Sequence, residues 1–457
     1  MQKPSNPQGT RDFGPSVMRK RDYILNSIQS VFKQYGFEPL ETPALENLST
    51  LTGKYGDEGD KLLYKIRSNK SLSQELPEDE AKLLQDLLPN RWIPGESKMG
   101  LRYDLTVPFA RFVVQHRNEI TFPFRRYQVQ SVWRADRPQK GRFREFTQCD
   151  ADCIGSNSLI HEADLILIYN QVFTQLGLKN AVLKVNHRKF LEALVDELEL
   201  DFPVVKFTTT LDKLDKIGEE GVLKELTTLG VSAEKCAKLF SIISNAELNT
   251  TNLQLFGKAF NNNDLAQKAI NDLGAILNFL EGTDLNIKVE LDLSLARGLD
   301  YYTGCIFEAL VPNSGMGSIS GGGRYDDLTG VFGLKDVSGV GISFGVDRIY
   351  EILEAQSLWP NNLHINESVL LCHFDDKTRQ HAMKIAQMLR LENISTIVFP
   401  DLKRINKQFD FANKVGIKYA LVIGEDEMKS NRIAVKNLEE GKQDVLSFVE
   451  AVDYLKK

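Results

Sequence analysis

The chain has 457 residues, 42% hydrophobic and 26% charged, with a net charge of −6. That length supports two or three domains, and the acidic balance excludes a surface that coats nucleic acid indiscriminately. No apolar run approaches a membrane span and the N-terminus has no apolar signal core, so a cytoplasmic protein with no membrane partner is expected.

In chain order, Ser16 is expected to cap a helix running to about Tyr35, because Ile24, Leu25, Ile28, Val31, Phe32 and Tyr35 recur at helical spacing and Gly36 ends it. An extended piece follows over 37–43, with Pro39 and Pro43 arguing against a central antiparallel position. Residues 53–98 are polar and read as an excursion with a short helix near 78–88. Two strands are expected at 122–133 and 143–154, joined by the long polar loop 134–142. From Arg125 to Arg144 this region carries Arg125, Arg126, Arg134, Arg137, Lys140, Arg142 and Arg144 against Asp136 alone, a positive stripe suited to a specific polyanion.

Cys149 and Cys153 lie near His161, but no second close pair completes a tetrahedral set. Neutral thiols are expected there, and the odd, scattered cysteines exclude a disulfide framework. Residues 186–284 are lysine- and leucine-rich with helical periodicity and read as a helical insertion. Strands return near 289–291 and 305–308, and 339–345 reads as a glycine-rich strand entering a helix near Val346. A boundary is expected between 355 and 367. Beyond it, short apolar strands at 369–371, 396–399 and 419–423 alternate with helical patterns, the signature of a small α/β domain.

The densest chemistry lies in two runs, Arg297-Gly298-Leu299-Asp300-Tyr301-Tyr302-Thr303-Gly304 and Ser320-Gly321-Gly322-Gly323-Arg324-Tyr325-Asp326. Glycines clear space, while tyrosine hydroxyls and a guanidinium aimed into a pocket read a small polar ligand. Arg134 opens the long hairpin loop, Phe146 on the returning strand offers a face for a flat base, and Arg348 sits just inside the helix after the glycine-rich strand. Arginine's planar fork suits phosphate and carboxylate. No lysine-bearing phosphate loop and no dinucleotide fingerprint is present.

These features resemble the class II aminoacyl-tRNA synthetases and, within them, the histidyl-tRNA synthetases. The stretch from Tyr35 to Pro43 is similar to the class's first motif, a dimer-forming helix and strand; 124–152 is similar to the second and 339–348 to the third. The two runs above resemble the pair of signatures peculiar to the histidine enzymes.

The resemblance implies an α+β catalytic domain with a six- to seven-stranded antiparallel sheet over 1–185 and 285–355, a helical insertion at 186–284, and an anticodon-binding α/β domain at 366–457. It implies a homodimer that uses L-histidine, ATP with Mg²⁺ and tRNA(His): histidine carboxylate attacks the α-phosphorus to give histidyl-adenylate, and the tRNA's terminal adenosine then takes the histidyl group. Such catalysis is positioning and charge stabilisation rather than protein covalent chemistry.

On the same resemblance, Arg134 bridges histidine carboxylate and α-phosphate, and Arg297 stabilises that phosphate from the other side, a task often given to a metal. Phe146 and Arg348 sandwich adenine, and Arg142 meets the outer phosphates. Asp104 and Thr106 hold the α-amino group with help from Gln148. Asp152 and Tyr302 take the two imidazole nitrogens, Tyr301 stands beside them, and Tyr325 closes the pocket. Arg137 and Gln139 approach the acceptor end of the tRNA. No metal ligand among the protein side chains is assigned. Asp104 and Asp152 are the shorter acids expected of the eukaryotic-type branch, where many bacterial members carry glutamate.

The competing reading is a non-catalytic, histidine-sensing regulatory paralogue of ATP-phosphoribosyltransferase. It would lack the C-terminal domain and show a degraded hairpin arginine and histidine signature, all of which this chain retains.

Overall fold

The computed structural model describes residues 3–74, 76–88, 93, 95–243, 245–260, 263–296, 301–360, 363 and 368–456. Arg297, Gly298, Leu299 and Asp300 therefore lie outside the described residues. The chain divides into two compact units, 1–358 and 359–457.

The first unit is built on a nine-stranded mixed sheet. Its six middle strands are antiparallel, in the order Phe124–Trp133, Glu145–Ile154, Gly339–Gly345, Ser320–Tyr325, Cys305–Leu310 and Val182–His187. This is the expected antiparallel block, and shorter strands extend it at both edges. Glu38–Pro39 pairs parallel with the first strand, as its proline allows only at an edge. At the other edge Lys288–Asp292 pairs parallel with Val182–His187 and carries Asn245–Glu247, a strand that emerges from the otherwise helical stretch 188–280.

One face of the sheet is covered by the helices Pro15–Gln34, Ile160–Gln175 and Val346–Ala355. Period-two alternation sends Tyr127, Cys149, Ala151, Ile342, Phe344 and Phe307 into this layer, where Phe344 meets the rings of Phe32, Tyr169 and Phe173 at 5.2 to 6.0 Å. The first helix starts one residue before the expected cap. Gly14 occupies the cap position and Pro15 the first turn, where its missing N–H costs nothing, so Ser16 does not cap it. The five cysteines are buried and free, and among the described residues no cluster of three His, Cys, Asp or Glu forms a metal site.

In the second unit a five-stranded sheet runs Thr396–Val398, Val369–His373, Tyr419–Ile423, Ile433–Asn437, Gln443–Leu446; the first three strands are parallel and the last two antiparallel. The expected parallel strands are present, and the final hairpin extends them. Helices Asp376–Leu391 and Ile405–Lys414 cover the sheet, the former fixed at its start by reciprocal Asp375–Thr378 hydrogen bonds. No helix among the described residues is long and apolar enough to cross a membrane.

Candidate active site

The uncovered face of the large sheet carries the polar residues. Arg126, Asp152, Gly341 and Gly323 share one row across four strands; Gln128, Asp150, Ser343 and Gly321 share the next. Glycine is required in the first row. A Cβ at Gly341 would stand 2.0 Å from Asp152 Oδ1, and one at neighbouring Gly339 would enter the Tyr325 ring at 2.3 Å.

Above this face lies a cavity of about 290 Å³ whose wall includes Asp104, Thr106, Arg134, Arg142, Phe146, Gln148, Tyr301, Tyr302 and Arg348. Nine side chains named from the sequence, drawn from segments separated by more than two hundred residues, thus meet in one space. Asp152 and Tyr325 lie beneath its lining, joined by a hydrogen bond in which the tyrosine hydroxyl donates to Asp152 Oδ1 at 2.7 Å. Of the remaining expected residues, Arg137 and Gln139 are exposed on the hairpin loop. Gln139 lines a second, adjoining cavity of about 870 Å³ with Lys140, Arg142, Lys184, Asp292 and Glu308.

The arginines are held by backbone, ring and carboxylate neighbours. Arg134 donates from Nε to Tyr103 O at 3.1 Å, and its guanidinium lies between the rings of Tyr103 (4.3 Å) and Phe146 (5.1 Å). Phe146 is therefore covered in part by Arg134. Arg142 stands 3.6 Å from Asp136 and is half exposed. Arg348 donates to Gly141 O at 3.1 Å and to Ser318 O, joining the hairpin loop to the loop before Ile319.

The acceptors are equally placed. Tyr55 Oη and the Val107 N–H both donate to Asp104 Oδ1 at 3.1 Å, while the buried Oδ2 has no hydrogen-bond partner among the described residues. Gln148 donates to Ser343 Oγ at 2.7 Å and its buried Oε1 is likewise unpaired. Two unpaired acceptors on the wall of one cavity suit an ammonium group, since leaving buried acceptors unmade is costly without a ligand. Burial raises Asp104 above the usual carboxylate range, opposed by the Val107 N–H, Arg134 and Tyr55.

Beneath them, Arg126 is completely buried, 2.7 Å from Asp152 Oδ2, and donates to Leu105 O at 3.2 Å; its Nε and Nη1 have no hydrogen-bond partner among the described residues. Burial raises Asp152, with Arg126 and Tyr325 opposing. Burial also pushes Asp150 up to about 7, opposed chiefly by Arg126. Asp150, Tyr55 and Arg126 went unassigned from the sequence. The period of two in Gln148-Cys149-Asp150-Ala151-Asp152 is the signal that puts Asp150 on the site face. Nothing local points from Tyr55 to Asp104.

Arg324 departs from the reading of its run. It turns to the helix-covered face, donating to Glu162 from Nε at 2.5 Å and Nη2 at 2.7 Å. Of that strand, Ser320 and Gly321 line the cavity, and Tyr325 lies beneath it against Asp152.

The family model described as histidyl-tRNA synthetase matches residues 94–349, and one described as an anticodon binding domain matches 364–457. The histidine–tRNA ligase of Christiangramia forsetii is 48% identical over 449 residues, covering 98% of both chains. That of Cytophaga hutchinsonii is 47% identical over 456 residues, covering 100% of both. Among solved structures, a histidyl-tRNA synthetase from Nostoc sp. PCC 7120 superimposes with a TM-score of 0.82 at 28% identity, over 100% of this chain and 99% of that one. A Bacillus halodurans chain described as an ATP phosphoribosyltransferase regulatory subunit/histidyl-tRNA synthetase shares the fold at 19% identity and a TM-score of 0.72, over 92% of this chain.

Proposed function

Because the chain belongs to the histidyl-tRNA synthetase family, we propose that the cavity above the sheet is where it activates histidine with ATP and passes the histidyl group to tRNA(His). The observation that carries the assignment of residues is the convergence of Arg134, Arg142 and Arg348 with Asp104, Gln148 and Tyr302 around one space.

Histidine's ammonium is placed against Asp104 Oδ2, Gln148 Oε1 and Thr106, which supply the acceptors a three-donor group needs. This also removes the isolation that keeps the Asp104 carboxylate high. The imidazole is placed deeper, between Tyr302 and Asp152. A carboxylate oxygen accepts two hydrogen bonds, so Asp152 Oδ1 can keep Tyr325 and still take a ring N–H. Tyr325 closes that end and Tyr301 the side.

Arg134, whose planar fork reaches both a carboxylate and a phosphate, is assigned to bring the histidine carboxylate against the α-phosphorus. The carboxylate oxygen forms the new P–O bond as the bond to the β-phosphate breaks, and pyrophosphate leaves. Arg297, outside the described residues, is assigned to the other side of the α-phosphate; Arg142 takes the outer phosphates. Adenine is placed between Phe146 and Arg348, Arg134 moving off the Phe146 ring as it engages phosphate. The terminal adenosine hydroxyl of the tRNA then attacks the carbonyl carbon and AMP leaves.

Magnesium is assigned to the ATP phosphates, whose charge it offsets. It tolerates a shell of phosphate and water with few carboxylates, which fits a site where the described residues offer no three-member acidic cluster. The tRNA acceptor end is assigned to the exposed loop residues Arg137 and Gln139, residues 366–457 to the anticodon, and residues 186–284 to an insertion within a catalytic domain of 1–185 and 285–355. A cytoplasmic homodimer is the expected state, in keeping with five unpaired buried thiols and an edge strand at Glu38–Pro39.

Histidine-dependent ATP–pyrophosphate exchange without tRNA tests the assignment. Exchange with histidine alone among the amino acids supports it. Histidine binding without exchange would favour the regulatory paralogue instead.

A further inference from the structure

The N-terminal stretch before the first helix lies against the two elements that hold the nucleotide in the reading above. Its backbone engages the hairpin: Arg144 N donates to Gly9 O at 2.9 Å, and Arg144 Nη1 to Gln8 O at 3.4 Å. Gly9 has φ +84, and a Cβ there would stand 2.8 Å from Pro138 and 2.9 Å from Arg144, so only glycine lets the chain press onto the loop. Arg144 in turn donates from Nε to Asp136 O at 3.2 Å inside that loop.

Two residues further, Arg11 spans the hairpin and the helix Val346–Ala355. Its guanidinium lies 3.2 Å from the centre of the Phe143 ring, and its Nη2 is 2.5 Å from Asp347 Oδ1. Phe143 and Asp347 both line the cavity, and Asp347 immediately precedes Arg348. Arg21 Nη1 reaches the same oxygen at 2.5 Å, and Arg21 Nη2 donates to Thr147 Oγ1 at 3.0 Å.

A segment that merely covered core would not need the Arg11 guanidinium. Two guanidiniums on one carboxylate leave a surplus positive charge behind the wall nearest Arg348 and Arg142, where a polyanion is to lie. Among the described residues, the strap's partners lie on the hairpin, the first helix and the helix Val346–Ala355, and none is Asp104, Gln148, Asp152 or Tyr302.

We propose that Gly9 to Phe13 forms a strap that sets the nucleotide side of the site, with Arg11 a positioning residue for ATP acting through Phe143 and Asp347. The inference rests on the placement of ATP given above.

The test compares the parent with Arg11→Ala and Arg11→Lys, measuring KM for ATP and for histidine in pyrophosphate exchange, and ATP affinity by calorimetry. Displacing a positioning wall predicts a rise in the ATP KM of about tenfold for Arg11→Ala. The histidine KM should stay within about twofold, and Arg11→Lys should recover part of the loss because charge is kept and stacking reduced. An unchanged ATP KM, or an equal rise in both KM values, overturns the strap. If the parent itself does not exchange, the enclosing reading fails, while unchanged ATP affinity of Arg11→Ala by calorimetry still overturns the strap. If Arg11→Ala is too unstable to purify, Gly9→Ala, which touches no cavity residue directly, carries the same expectation and the same overturning results.

Discussion

Two buried arginine–carboxylate pairs sit on opposite faces of the same sheet, and they are finished differently. On the helix-covered face, Arg324 uses all five N–H groups: two to Glu162, one each to Ser156 O and Ser158 O, and one to Ser338 Oγ. On the open face, Arg126 pairs with Asp152 and donates to Leu105 O, but among the described residues its Nε and Nη1 are unpaired. Nearby, Asp104 Oδ2, Gln148 Oε1 and an Asp150 oxygen are unpaired too. A saturated buried pair belongs to the frame. An unsaturated set of buried donors and acceptors is what a site for a polar ligand offers.

The comparison breaks most visibly at Glu162. Glu162→Gln strands the Arg324 charge in the interior, and such stranding costs about 3–5 kcal/mol. Denaturant unfolding should show that loss while the exchange rate per folded molecule stays at the parent level. A parent-like unfolding midpoint would mean that the saturated pair is not what holds this face. Next in size is Arg134→Ala. On the role proposed for Arg134, losing a charge stabiliser of the reacting phosphate predicts a drop in exchange rate of about 10²- to 10³-fold. Its thermal midpoint should barely move, because Arg134 makes one backbone hydrogen bond and two ring contacts.

The contrast also explains what was legible in the sequence. The hairpin and the glycine-rich strand leading into Val346 were readable because alternation and loop length are local signals, and the observed strands start within two residues of the expected positions. The cavity residues were readable because their motifs are dense. Arg324 was not, since its orientation depends on which side of a glycine strand it falls, and its partner Glu162 lies 162 residues away. Tyr55 sat in a polar excursion with no period to follow. Asn245–Glu247 is too short for alternation to show, and it became a strand only because the edge at Lys288–Asp292 was open to it.

Asp104→Asn sharpens the comparison from the open face. It keeps the shape and removes the charge that burial penalises, so thermal stability should hold or rise. Charge-assisted hydrogen bonds of about 1.5–3 kcal/mol convert to a histidine KM raised about ten- to a hundredfold, with the ATP KM unchanged. A variant equally impaired for both substrates would remove Asp104 from the amino-group role.

The last contrast is a difference in sign. On the helix-covered side, burial and the neighbouring Arg125 and Arg324 lower His161 to about 4, against about 6.5 in an unfolded chain. Between those values the unfolded state binds more protons, so this histidine's contribution is lost as pH falls from about 6.5 towards 4. On the open face Asp150 is raised to about 7, against about 3.9 unfolded. There the folded state binds more protons, and stability is lost as pH rises across the same interval. Relative to the parent, His161→Gln should therefore gain in thermal midpoint as pH is lowered from 7 to about 4.5, and Asp150→Asn should gain as pH is raised over that window. Parallel curves for parent and either variant would show that the group's folded and unfolded proton affinities are the same. The unsaturated face would then carry no ionisation penalty at that residue for a ligand to relieve.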